Sequence, residues 1–242
     1  MAIAAASTEL LVSAAASLTD AFEQIGAAFA RKEKGGVTVR FNFAASGALK
    51  QQILAGAPVA VFASAAPREM DELERAKRIE AATRRDFARN RLVLIVPAGS
   101  RAGVRDWKDL TGAGIRRIAV ASPDGVPAGR YARETLLKRG LWAALQPKLV
   151  FGENVRQTLT YVAGGDADAG IVFATDARSE ARRVRIAAVA IPGRDHSPIV
   201  YPAAVIAGAP NPEAARRFVR FLLSREAQGI FKRWGFSSLT AA

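Results

Sequence analysis

The stretch LLVSAAAS at 10–17, running on into LTDAFEQIGAAFARKEKG at 18–35, decides how the rest of the chain reads. Residues 10–16 form an apolar run of branched and small residues, the composition of a strand buried on both faces. From Leu18 the apolar positions shift to helical spacing, with Leu18, Phe22, Ile25 and Phe29 on one stripe, so an amphipathic helix follows directly. Ser17 stands at the junction and is expected to be the N-cap. A Ser hydroxyl and its neighbouring backbone N–H groups, at the positive end of a helix dipole, form a ready anion site.

The same alternation continues outward. KGG at 34–36 stops the first helix, and 37–43 alternates as a second strand. Residues 44–47 make a small-residue turn that places Ser46 at the N-terminus of a second helix bearing Leu49, Ile53 and Leu54. VAVFAS at 59–64 is a third strand, and Pro67 opens a charged helix expected to run through Arg78. This βαβαβα order calls for a parallel sheet covered on both faces.

Beyond Asn90, RLVLIVPAGS at 91–100 reads as a strand, followed by a segment with Trp107 and Leu110 and a strand at 115–121. A loop at 122–129 puts Pro127 at the first position of a helix that continues over 131–139. A strand at 148–151, a turn with Glu153 and Asn154, a helix at 155–163 and a strand at 171–174 come next. Strands at 183–192 and 199–208 and helices at 212–225 and 226–234 close the pattern. The expected fold is α/β with two lobes, each a mostly parallel sheet flanked by helices. Lobe I takes 1–88 and 198–242, lobe II takes 89–197, and the chain crosses between them twice, near Arg89 and near Ser197.

A chain of 242 residues with 50% hydrophobic content can build such cores. No apolar run approaches the ~20 residues of a membrane helix. The N-terminus, MAIAAASTELL, lacks the basic and apolar regions of a secretory leader, which fits a protein that stays inside the cell or a mature form with Met1 added. The absence of Cys is compatible with an oxidising compartment. A net charge of +13, from 35 Lys and Arg against 22 Asp and Glu, favours a negatively charged partner. The cations are scattered or paired rather than interleaved with aromatics, and there is no finger, zipper or helix-turn-helix pattern, so nucleic acid is not expected.

Five strand-to-helix junctions stand out: Ser17, Ser46, the turn at 127–129, Asn154 with Val155, and 173–176. Ligands of open parallel sheets bind outside the carboxyl ends of the strands, where these junctions lie, and two facing lobes would gather them into one cleft. The remaining candidates are weaker. Arg130 and Arg156 are expected to be solvated helix residues. GDADAG at 165–170 reads as a turn, because Gly170 and Ala177 stand where a calcium loop needs ligands. His196, the only histidine, is expected to be exposed in its loop; with no second His and no Cys, neither a metal site nor a histidine-paired nucleophile is expected. No cofactor motif is present, since VPAGRYA at 126–132 lacks the GKS or GKT of a phosphate loop. Trp107, Trp142 and Trp234 are read as packing residues.

Residues 15–19, 43–46, GAP at 56–58, VPAGRYA at 126–132, PKLV at 147–150, ENVRQ at 153–157, GIVFATDA at 170–177 and FKRWGF at 231–236 together resemble the periplasmic molybdate-binding proteins of ABC importers. The resemblance spans nearly the whole chain, in order. It implies a type II periplasmic binding protein fold whose hinge closes over a tetrahedral oxyanion, molybdate or tungstate. It implies too a periplasmic monomer that serves a membrane permease and catalyses nothing. Carried over by position, the ligand is held by the hydroxyls and N–H groups of Ser17 and Ser46 and by the N–H groups of Ala128 and Val155. Two positions depart from the family. Phe173 stands where a Tyr hydroxyl usually reaches the ligand, and Ala60 where an acidic residue is usual. A different oxyanion, or a cytoplasmic oxyanion-sensing effector domain, are the alternatives. An enzyme would need a general base, and none of the junctions offers one.

Overall fold

The computed structural model describes residues 8–239. The reading of the N-terminus as leaderless rests on residues 1–11, of which 1–7 lie outside the described residues. The opening apolar run forms β1 (Thr8–Ala15), and a single 3-10 turn, Ala16–Leu18, separates it from α1 (Thr19–Lys32). β2 (Val37–Ala44) lies parallel to β1 and pairs Phe41 with Val12. α2 (Ser46–Leu54) leads to β3 (Val61–Ala63), parallel to β1 on its other side. β3 is shorter than the expected 59–64, although the Ala60 N–H still donates to the Leu11 carbonyl. α3 (Pro67–Arg75) stops short of Arg78, because Lys77 adopts a left-handed φ of 54°.

β4 (Arg85–Asn90) is not foreseen by sequence patterning: RDFARN has too few apolar residues to show alternation, and only Phe87, Ala88 and Asn90 are buried. β5 (Leu92–Pro97), β6 (Ile118–Ala121), α4 (Pro127–Lys138), α5 (Trp142–Leu145) and β7 (Leu149–Gly152) follow. Then come α6 (Val155–Ala163), β8 (Ala169–Phe173), α7 (Ala174–Ser179) and β9 (Val184–Val189), before β10 (Ile199–Val205), α8 (Pro212–Leu222) and α9 (Arg225–Arg233).

Packing divides the chain into two compact units, residues through Ala88 together with those from Val200, and Arg89–Ile199. The first holds the sheet β2-β1-β3-β10-β4, the second β7-β6-β8-β5-β9. Neither sheet is as parallel as expected. β10 runs antiparallel to β3, and β5 runs antiparallel to both β8 and β9, so each parallel βαβ portion is completed by strands entering from the opposite direction.

In the first unit α1 turns Phe22, Ile25 and Phe29 onto one face of the sheet. Phe22 is the hub: its ring lies 5.8 Å from Phe41, 5.8 Å from Phe87 and 6.1 Å from both Phe218 and Phe231. Phe22, Phe87, Phe218 and Phe231 are buried, and full burial of such a ring stabilises by roughly 1.5–3 kcal/mol. α1 can lie this close because residue 26 is glycine, where a Cβ would meet the Phe41 ring at 2.7 Å. Leu49, Ile53, Phe62, Met70 and Leu73 form a second apolar cluster under α2 and α3. In the second unit IAVA of β6 is wholly buried, with α4 and α6 packed on β6 and β8.

His196 corrects the sequence reading, for it is fully buried. Its loop folds inward around the Asp195 carboxylate, which is paired there, while the buried His196 Nε2 finds no hydrogen-bond partner among the described residues. Asp195 accepts from the Ile191 N–H at 2.7 Å and pairs with Arg139 at 2.7 Å, and the His196 Nδ1–H donates to the Ser197 carbonyl at 2.7 Å. Burial pushes the Asp195 carboxyl up, but Arg194, the Ile191 N–H and Arg139 outweigh it and hold it at about 2. A carboxyl depressed in the fold stabilises above its unfolded value and loses that contribution as the pH falls through its folded value. Asp195→Asn is therefore expected to flatten the acid limb of the stability curve between about pH 4 and about pH 2, where the wild type loses up to about 2 kcal/mol. Urea midpoints measured across that range check this, and parallel curves for the two proteins would refute it.

Candidate functional site

In the first unit the register pairs Ala15 with Ala44, so the chain leaves two adjacent parallel strands at one level, and Ser17 and Ser46 each stand two residues beyond that pair. Ser17 is not the N-cap expected from sequence. The chain reaches α1 through the 3-10 turn, so the caps are Ala15 for the turn and Leu18 for α1, neither with a side-chain bond. The buried Ser17 hydroxyl instead lies 2.9 Å from the Tyr201 hydroxyl on β10. Ser46 is the first residue of α2, after an uncapping Ala45. The Ala65 N–H donates to Ser46 Oγ at 3.1 Å, so the hydroxyl proton of this buried side chain is free to go to another acceptor.

The second unit repeats the arrangement. β6 and β7 are parallel neighbours ending in the Ala121–Gly152 pair, and α4 and α6 start just beyond them. Pro127 takes the first position of α4, with no side-chain cap at Val126, which makes the N–H groups of Ala128 and Gly129 its leading donors. Gly129 is packed against the end of β6: a Cβ there would stand 2.1 Å from the Ala121 carbonyl oxygen. At α6, Asn154 Oδ1 accepts from the N–H groups of Arg156 at 2.9 Å and Gln157 at 3.0 Å. The Val155 N–H is thus the first-turn donor that neither helix nor cap takes.

The fifth junction differs. Phe173 is buried as the N-cap of α7, but the Ala174 N–H is spent on the Arg91 carbonyl at 2.8 Å. The Phe173 ring meets Tyr131 at 6.3 Å, and the buried Thr175 hydroxyl accepts from the Asn90 amide at 2.9 Å.

Arg156 also departs from expectation. It is not a solvated helix residue: Nε lies 2.7 Å from Oδ1 of fully buried Asp176, and a guanidinium N–H donates to Ser179 Oγ at 2.9 Å. A buried carboxylate requires such a partner, so α6 and α7 are clasped by charge. In the GDADAG turn Asp168 Oδ2 accepts from the N–H groups of Arg116 at 2.8 Å and Arg117 at 2.9 Å. Among the described residues no group of three His, Cys, Asp or Glu could hold a metal ion.

The sequence pattern of the bacterial extracellular solute-binding proteins matches residues 10–237. The chain belongs to that family. The molybdate-binding protein ModA of Escherichia coli is 40% identical to this solute-binding protein over 235 residues, 95% of this chain and 89% of the relative. ModA of Haemophilus influenzae is 35% identical, over 97% of this chain and 92% of its own. Among solved structures, the periplasmic molybdate-binding protein of Azotobacter vinelandii superposes with a TM-score of 0.84 at 27% identity, covering 94% of this chain and 98% of that one. The solute-binding protein therefore has the periplasmic binding protein fold, with mixed sheets. Sequence reasoning missed the groups that hold the two serines and neutralise Arg156, namely Tyr201, the Ala65 N–H and Asp176. No local signal marks Tyr201, which is separated from Ser17 by 184 residues.

Proposed function

We propose that this solute-binding protein captures a fully deprotonated tetrahedral oxyanion, molybdate or tungstate, and delivers it in the periplasm to the permease of an ABC importer. In this reading Ser17 and Ser46 supply donors from the first unit, and Ala128 and Val155 supply them from the second. The observation that carries the reading is the donor character of these junctions, sharpest at Ser46, whose oxygen already accepts from the Ala65 N–H and whose proton is left to donate. An anion whose oxygens are all acceptors suits such a set, whereas partly protonated phosphate brings a proton against donors. Helix N-termini bind it without a contacting cation, and the 40% identity to a molybdate-binding protein supports the choice of ligand. No bond is made or broken, and the protein acts as a monomer without a cofactor.

Calorimetric titration of ligand-stripped protein with molybdate, tungstate, sulfate and phosphate tests the proposal. One-to-one binding of the first two without heat from phosphate is expected. Silence with molybdate, or preference for another anion, overturns it. In the same experiment Phe173→Tyr restores a donor at the α7 N-cap. A hydrogen bond to a charged group contributes about 1.5–3 kcal/mol, so molybdate affinity is expected to rise about tenfold or more, and an unchanged Kd would place residue 173 away from the ligand.

A further inference from the structure

A site of neutral donors leaves the net charge of +13 unused. In the first unit the cations concentrate where α8 passes into α9 beside the C-terminal half of α1. Arg31, Arg225 and Arg233 line an open hollow of about 380 Å³, and Lys32, Arg217 and Arg220 line another of about 250 Å³. The hollows adjoin, since Arg31 and Lys32 are chain neighbours, as are Ser224 and Arg225 at the α9 N-terminus. Two carboxylates share this face and do not cancel it. Glu33 pairs with Arg217 at 2.8 Å, while Glu226 approaches Arg31 only to 3.7 Å with both side chains more than half exposed. Lys32 rests over the Phe221 ring at 5.2 Å, and at the apex between the two helices Leu223 is 43% exposed.

We infer that this corner docks the protein on an anionic phospholipid surface. Clustered Lys and Arg with an apolar side chain protruding among them is the pattern of an interfacial contact, in which the cations meet headgroup phosphates and the apolar residue enters the acyl boundary. An acidic polypeptide would satisfy the cations but give Leu223 no apolar medium. The contact is peripheral, because no helix among the described residues is long and apolar enough to cross a membrane. A protein held at the surface that contains its permease searches two dimensions instead of three.

Co-sedimentation of the full chain with vesicles of phosphatidylcholine, alone or mixed with phosphatidylglycerol, tests this. Binding is expected only to the mixed vesicles, falling steeply with salt. Arg220→Glu with Arg225→Glu is expected to weaken it at least tenfold, and Leu223→Ser severalfold, with oxyanion titration unchanged. Arg101→Glu with Arg182→Glu alters net charge equally at exposed positions of the other unit and is expected to weaken binding far less. Equal loss in both double variants would reduce the effect to net charge and overturn the proposal. So would binding to polyglutamate without binding to mixed vesicles, which would assign the corner to an acidic protein, or displacement by millimolar inorganic phosphate alone.

Discussion

Gly129→Ala is expected to abolish oxyanion binding and to destabilise the second unit. The added Cβ would stand 2.1 Å from the Ala121 carbonyl oxygen, 2.7 Å from its carbon and 2.8 Å from the Ser122 carbonyl carbon. All three are backbone atoms at the end of β6, so no rotamer change relieves the overlap. The N-terminus of α4 must then retreat from the strand, and Ala128, one residue earlier, moves with it. Overpacking costs about 1–3 kcal/mol where side chains can yield and more where backbone must. Urea unfolding and molybdate calorimetry on one preparation separate the two effects. Gly125→Ala, in the same loop with nothing within 4 Å of its added Cβ, serves as the control and is expected to leave both unchanged. A Gly129→Ala protein that binds as the wild type does would remove the α4 N-terminus from the site.

What the sequence makes legible follows from what chain neighbours decide. The α6 boundaries, Val155–Ala163, read correctly, and the turn placed at Glu153 and Asn154 carries the cap, which is a local device because it acts on N–H groups two and three residues ahead. Pro127 marked the start of α4 for the same reason, its fixed φ and missing N–H being local properties. β4 was illegible because its burial comes from neighbouring elements rather than from its own alternation. The inward loop at His196 was illegible because a polar stretch reads as exposed until Arg139 supplies the charge that Asp195 needs. Ser17 shows a mixed case. The residue and its place at the strand end are evident, but a 3-10 turn displaces it from the cap and sets its hydroxyl 2.9 Å from that of Tyr201, remote in the chain.

Arg156→Met is expected to destabilise the second unit by roughly 3–5 kcal/mol, the cost of leaving one member of a buried ion pair alone. The two partners are not equivalent. Asp176 is fully buried, whereas the Arg156 side chain retains 25% exposure and can reach water when the carboxylate is gone. Asp176→Asn should therefore cost less than Arg156→Met, and the double variant should regain part of what Arg156→Met loses, since it carries no buried charge. The pair also bears on the anion. Arg156 directly follows Val155, and while Asp176 cancels it the α6 N-terminus attracts by its dipole alone. Asp176→Asn frees the guanidinium, so attraction to any anion rises and discrimination among oxyanions falls. Calorimetry on that variant is expected to show a phosphate heat absent from the wild type, suppressed as salt is raised. Unfolding midpoints that rank Asp176→Asn below Arg156→Met would show the two side chains act through other partners.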